Sequence, residues 1–170
     1  MSSTIPGLDT HPGVPPETFR DVFGHVCTPV AVVTAFDGAR PHGTTVSAFT
    51  ALSMTPPMVL VALDRGSQVL ATLRSADSFG VNVLAAEQAG IATAFARKGE
   101  DKFDGIGWDT DSGVPRITGS AGWLACAVSS IVDGGDHEVV MGTVIGAHRH
   151  DIPPLTYHAR TFGTHAAADR

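Results

Sequence analysis

The stretch Pro41–Asp64, PHGTTVSAFTALSMTPPMVLVALD, decides how this chain folds. It opens with small and hydroxylated residues (Gly43, Thr44, Thr45, Ser47, Ala48) and ends in an apolar run behind Pro56-Pro57. A backbone this bare can be approached closely by a flat ligand, to which its free N–H groups and hydroxyls would present donors. The same composition suits a plain pair of strands with a Thr/Ser-rich solvated face. The rest of the chain has to separate the two readings.

Upstream, residues 1–15 are rich in Ser, Pro, Gly and Thr and read as an arm. Pro15-Pro16-Glu17 then opens a helix whose Phe19, Val22, Phe23 and Val26 share one apolar face. Val30–Phe36 is β-branched and apolar, and Asp37-Gly38 after it is a hairpin signal. The opening stretch supplies the return strand, and Met58–Leu63 a further, fully buried one. Downstream, Ser67 is placed to cap a short helix with Val69, Leu70 and Leu73 inward. Phe79–Leu84 reads as a strand, Glu87 to about Lys98 as a long helix, and Gly99–Gly122 as a long loop anchored by Phe103, Ile106 and Trp108. Trp123–Asp133 and His137–His148 form a hairpin across Gly134-Gly135, and a last strand spans Leu155–His158 before a polar tail. Short strands without a βαβ rhythm predict a mainly β, antiparallel barrel with peripheral helices. The domain is expected over residues 16–163, with 164–170 as a tail.

Bulk properties exclude several classes. The 170 residues suffice for one domain with a real core. Eleven Lys and Arg face 17 Asp and Glu, and no basic stripe exists for a nucleic acid to follow. Only 16% of residues are charged, which points to a surface partly covered by a partner subunit. The N-terminus lacks the basic and apolar regions of a secretory signal, and the apolar run Met58–Leu63 is too short to span a bilayer. Cys27 and Cys126 lie far apart among apolar residues and read as reduced, buried thiols, consistent with the cytoplasm.

Motifs narrow the chemistry. No GxGxxG opens a helix, no Walker loop is present, and His137-Glu138 lacks the second histidine of HExxH. The eight histidines form no cluster at metal-ligand spacing, so no metal is expected. Gly134-Gly135-Asp136-His137 is more than a turn, because an Asp beside a His can fix its tautomer or raise its pKa. Arg65, Arg97, Lys98 and Lys102 are a local positive minority, and Arg65 precedes a helix N-terminus, which favours anions.

In order and spacing, several segments together resemble the short-chain flavin reductases of two-component monooxygenases, which have the FMN-binding split-barrel fold of Greek-key type. They are Gly43–Phe49, Ser53–Pro57, Ser67, Phe79–Leu84, Phe95-Ala96, Lys102-Phe103, Gly135-Asp136-His137 and Pro154–Tyr157. Each is weak alone; the resemblance runs from about Phe19 to Gly163. It implies a homodimer binding FMN or FAD and reducing it with NADH or NADPH, in the service of a separate flavin-dependent monooxygenase. It places Thr44, Thr45, Val46, Ser47 and Ala48 against the flavin ring, and Asp64, Arg65 and Ser67 near the ribityl phosphate. Phe95, Arg97, Lys98 and Phe103 fall near the flavin or its tail, and His137, with Tyr157, faces the nicotinamide. His137 is the expected catalytic residue. The chain departs from the family pattern at Ala48, where a serine is common, and at Arg160 and Phe162, where Gly and Tyr are usual. The alternative is a non-catalytic flavin binder or electron carrier on the same barrel.

Overall fold

The computed structural model describes residues 12–99 and 101–168; most of the expected N-terminal arm lies outside them. Helix α1 spans Pro16–Gly24. The strands β1 (Thr28–Pro29), β2 (Ala31–Asp37), β3 (Arg40–Val46), β4 (Phe49–Met54) and β5 (Pro57–Asp64) follow. Then come α2 (Gln68–Leu73), β6 (Ser78–Val83) and α3 (Ala89–Ala96). The rest is strand: β7 (Trp108–Asp111), β8 (Val114–Ile117), β9 (Gly122–Gly134), β10 (His137–Arg149), β11 (Leu155–His158) and β12 (Thr161–Thr164). Seven strands form one antiparallel sheet in the order β3-β2-β6-β9-β10-β5-β4. Its two end strands, β3 and β4, are consecutive in the chain, and the sheet does not close between them, as in a split barrel.

Alternation along β2 explains its continuous apolar run. Ala31, Val33 and Ala35 enter one core with Val61, Phe79 and Val140 from other strands, while Val32 enters a second core with Ala92 and Phe95 of α3. A strand covered on both faces has no polar side to show. Between the cores lies a buried polar knot. Asn82 donates to Val32 O and Thr34 Oγ1, both at 3.2 Å, and accepts from Ile117 N at 2.7 Å. Thr34 Oγ1 in turn donates to Pro115 O at 2.6 Å. Every member is satisfied, so the knot fixes the β7–β8 hairpin to the sheet without leaving an unpaired group.

Several sequence expectations change. The opening stretch holds three strands, not two: β4 lies between β3 and β5 and pairs with β5. Strand β5 is not buried throughout; Val59, Val61 and Leu63 are buried while Met58, Leu60 and Ala62 are half-exposed, because β5 has the core on one face only. The long helix expected from Glu87 to about Lys98 is shorter, with a 3-10 turn over Ala86–Gln88 ahead of α3. The long loop contains the β7–β8 hairpin, turned by Ser112-Gly113 at φ 50° and 78°. The tail after β11 begins with β12. Helix α1 starts where expected but ends at Gly24, short of Val26, and Phe19, Val22 and Phe23 stay 53–60% exposed, with none of its residues buried.

Gly43 shows why β3 starts with a bare backbone. A Cβ there would lie 2.6 Å from Cδ1 of Phe95, so α3 packs its aromatic ring directly on the strand. The close approach is made by the chain itself, not by a ligand. Gly43→Val is therefore expected to cost about 1–3 kcal/mol, read as a lower urea midpoint. Phe95→Leu in the same chain should recover part of the loss, whereas strictly additive losses would show that the two residues do not compete for space.

Candidate functional site

A cavity of about 200 Å³ opens in the split of the barrel. One wall is the run Thr44–Ala48, which ends β3 and turns toward β4; the facing wall is Ala62, Leu63 and Asp64 of β5, with Ser67. His137 completes it, because the β5–β10 register sets His137 opposite Asp64. Among the described residues the outer edge of β3 has no strand partner. Thr45 spends its hydroxyl on Ala92 O at 2.7 Å. The hydroxyls of Thr44, Ser47 and Ser67 make no bond among the described residues, and Ser67, at the N-cap position of α2, makes no capping bond. Asp64 is used locally: its Oδ1 accepts from Gly66 N at 2.7 Å. The site thus offers an unpaired strand edge, three free hydroxyls and no bulky side chain across the Gly43–Ala48 run, which fits a flat, polar-edged ring such as a flavin.

A second cavity, about 370 Å³, shares Thr45, Val46 and Ser47 with the first. It extends past Ala92, Thr93 and Ala96 of α3 to Tyr157, Arg160 and Phe162 of the β11–β12 hairpin.

At His137, Nδ1 lies 2.8 Å from Asp136 Oδ1. That hydrogen bond, reinforced by attraction to the imidazole, holds the Asp136 carboxyl below the usual carboxylate range. The contact orients the ring through Nδ1 and leaves Nε2 as the ring nitrogen not engaged by Asp136. The pairing is local, between neighbours on the rim of the turn.

Arg65 does not stand free for a phosphate. Its Nε donates to Gly135 O at 2.9 Å, Nη1 to Glu138 Oε1 at 3.0 Å, and Nη2 to Asp133 Oδ1 at 2.7 Å. Its backbone N–H donates to Asp136 O at 3.2 Å. The hydrogen bond to Asp133 leads the effects that raise its already high pKa. Arg74 joins from α2's end, 2.7 Å from the same Oε1 of the nearly buried Glu138. Arg65 is therefore a positioning residue that clasps the β9–β10 turn carrying Asp136 and His137.

Of the other expected site residues, Phe95 is fully buried beneath β3 and lines neither cavity. Phe103 packs edge-on against Phe95 and Trp108, at 4.8 and 5.5 Å between ring centres. These two aromatics shape the wall from behind; a ligand contact at Phe95 is excluded by its burial. Arg97 and Lys98 are exposed past the end of α3 and line neither cavity. Tyr157 lines the second cavity, not the first. Lys102 carries a role the sequence did not declare: half-buried, it donates to Gly43 O and Phe95 O, both at 3.1 Å, and burial lowers its pKa. The only advance signal for that role was the Lys-Phe pair itself. Among the described residues no three His, Cys, Asp or Glu side chains come together as a metal site would require.

The flavin reductase like domain family matches residues 23–166. The chain belongs to that family. The reductase component of a Rhodococcus opacus 4-nitrophenol 4-monooxygenase/4-nitrocatechol 2-monooxygenase is 37% identical over 145 residues, 85% of this chain and 78% of that protein. The NADH:riboflavin 5'-phosphate oxidoreductase of Streptomyces pristinaespiralis is 35% identical over 159 residues, 90% of each. Among solved structures, the NADH:FAD oxidoreductase of Streptomyces globisporus in complex with NAD and FAD fragments is similar with a TM-score of 0.85. It is 33% identical, over 92% of this chain and 98% of that one. For a member of this family, the clasp has a measurable consequence. In Arg65→Ala, amide exchange at residues 134–136 should speed up about tenfold relative to the sheet interior; unchanged protection would show that the turn closes without it.

Proposed function

We propose that this chain is an NAD(P)H-dependent flavin reductase that reduces FMN or FAD and passes the reduced flavin to a separate monooxygenase component. The observation that carries the reading is the single cavity into which the unpaired edge of β3 and His137 both open. Named relatives are flavin reductases and monooxygenase reductase components.

A bound flavin supplies the hydride acceptor, its N5. The protein's task is then geometric and electrostatic. Backbone N–H groups along Thr44–Ala48 would hold the ring by its polar edge, and Ser67 and the free hydroxyls would add donors beside it. His137, its Nδ1 held by Asp136, would orient the nicotinamide through Nε2. Donor and acceptor atoms must come within about 3–3.5 Å, so the stiffness of the Arg65-clasped turn matters more than any acid or base. Nothing here requires a proton to move on a side chain.

Purified protein should oxidise NADH or NADPH only when FMN or FAD is added; no rate above the free-flavin background would overturn the reading. In stopped-flow, His137→Ala should slow flavin reduction about tenfold or more while changing flavin Kd little. A large Kd change with an unchanged reduction rate would move His137 to the flavin side. Flavin that binds but is not reduced by either dinucleotide would make the chain a carrier.

The same proposal includes a homodimer. The stacked Phe19 and Phe23 rings, 4.6 Å apart, and Val22 form an exposed apolar face that a second copy would cover. Phe23→Glu should convert a two-chain mass in light scattering to a one-chain mass; a one-chain mass for the unaltered protein would remove the dimer. Among the described residues no helix is long and apolar enough to cross a membrane. We place the protein in the cytoplasm, where both thiols would stay reduced; Cys126 is buried, which pushes its thiol up to about 12, whereas Cys27, expected to be buried, is exposed just past the end of α1.

A further inference from the structure

The β11–β12 hairpin turns in two residues. His158 pairs with Thr161, so Ala159 and Arg160 alone make the turn, and both have positive φ, 48° and 63°. That geometry calls for Asn-Gly or a similar pair, since a Cβ is crowded in the left-handed region. A glycine at position 160 would relieve the crowding. The chain instead places there an arginine, the residue whose planar fork suits phosphate.

The side chain has a distinctive setting. Arg160 lines the 370 Å³ cavity with Tyr157 and Phe162, whose ring centres lie 5.1 Å apart, and that cavity continues to Thr45–Ser47 of the flavin site. Arg65, Arg74, Arg116 and Arg149 each meet a carboxylate. Arg160 meets none among the described residues. Arg160 also borders a separate cavity on the other side of the turn, lined by Glu17, Arg20 and Asp21 of α1, and forms an ion pair with neither carboxylate. In a chain of net charge −6, an anionic substrate is repelled at long range and needs a local cation to be held.

We infer that the cavity between α3 and the β11–β12 hairpin takes the phosphate-bearing tail of the nucleotide substrate, with Arg160 as its anion ligand. Tyr157 and Phe162 give the tail a flat apolar wall. The inference rests on the flavin reductase reading and extends it to selectivity. The phosphate can come from the flavin, whose FMN and FAD forms carry one that riboflavin lacks, or from the 2'-phosphate that separates NADPH from NADH.

The test compares kcat/KM for riboflavin, FMN and FAD, and for NADH and NADPH, in the native protein and in Arg160→Gly and Arg160→Gln. Both variants should lower one phosphate-dependent ratio about tenfold, the loss expected for one charge-assisted hydrogen bond. A fall in FMN or FAD relative to riboflavin assigns the flavin tail; a fall in NADPH relative to NADH assigns the dinucleotide. Arg160→Gly should keep or raise the melting temperature, because glycine accepts the turn's φ freely. If neither ratio moves, or if Arg160→Gln keeps the native ratios, the inference is overturned. If no flavin is reduced at all, the reductase reading fails separately. Arg160 is then judged by Kd for FMN against riboflavin and for 2',5'-ADP against 5'-AMP, where equal Kd ratios in native and variant protein overturn it.

Discussion

The ring of Phe95 rests on the naked backbone of Gly43, and the working end of β3 is held by what that contact brings with it. Once α3 lies that close, Thr45 Oγ1 reaches Ala92 O and the Lys102 ammonium spans Gly43 O and Phe95 O. Lys102 loses solvation there, which lowers its pKa. A buried ammonium with carbonyl partners is tolerated only where those carbonyls have no better donor. Gly43 O lies on an end strand and Phe95 O in the last turn of a helix, so both are of that kind. The lashing takes the carbonyl of Gly43 and the hydroxyl of Thr45 and leaves the hydroxyls of Thr44 and Ser47 to the cavity that Thr44–Ala48 line.

The other wall is governed by charge. Glu138, nearly buried, is balanced by Arg65 and Arg74, and Arg65 also reaches Asp133 and the carbonyl of Gly135. Removing either arginine would leave a desolvated carboxylate with half its compensation. Because the cluster spans the end of β5, the end of α2 and both arms of the β9–β10 hairpin, it fixes His137 relative to Asp64 more tightly than the ladder alone. Asp136 points outward and is spared for the histidine. The lowered pKa of Asp136 means its contribution is present above the ordinary carboxylate range and fades as pH falls through its lowered value. The His137 geometry therefore does not depend on Asp136 titration near neutrality.

Much of this was legible in the residues. The β-branched run of β2, the hairpin of β9 and β10 and the three helices follow from local pattern, and the barrel class follows from their order. What escaped had long-range causes. Strand β4 is hidden because Phe49–Met54 alternates weakly, at the edge of a sheet where only one neighbour tests it. The β7–β8 hairpin sits in a Gly- and Asp-rich segment and is held by Asn82 and Thr34, some thirty-five and eighty-one residues away. Arg65 looked like an anion site because it precedes a helix, but its carboxylate partners lie sixty-eight and seventy-three residues downstream. Phe95 looked ligand-facing and is core. Residues 44–48, 64, 67 and 137 were read together because their chemistry is local or carried by resemblance, and the structure does bring them to one cavity.

Two surfaces remain incomplete, and their chemistry distinguishes them. The end of β3 presents backbone donors and acceptors beside free hydroxyls, so only a polar-edged partner can satisfy it. An apolar surface laid there would strand those groups. The face of α1 presents Phe19, Val22 and Phe23 and has nothing to donate, so only an apolar partner gains by covering it. An exposed strand edge invites pairing with another chain. Here the edge is short: Lys102 has taken Gly43 O, and at Ala48 the backbone carbonyl is already bonded to Ala62 N. What remains open is too brief to register a foreign strand but long enough to meet the edge of one flat ring. That limit on length, more than the identity of any hydroxyl, is what suits the split in this barrel to a small molecule.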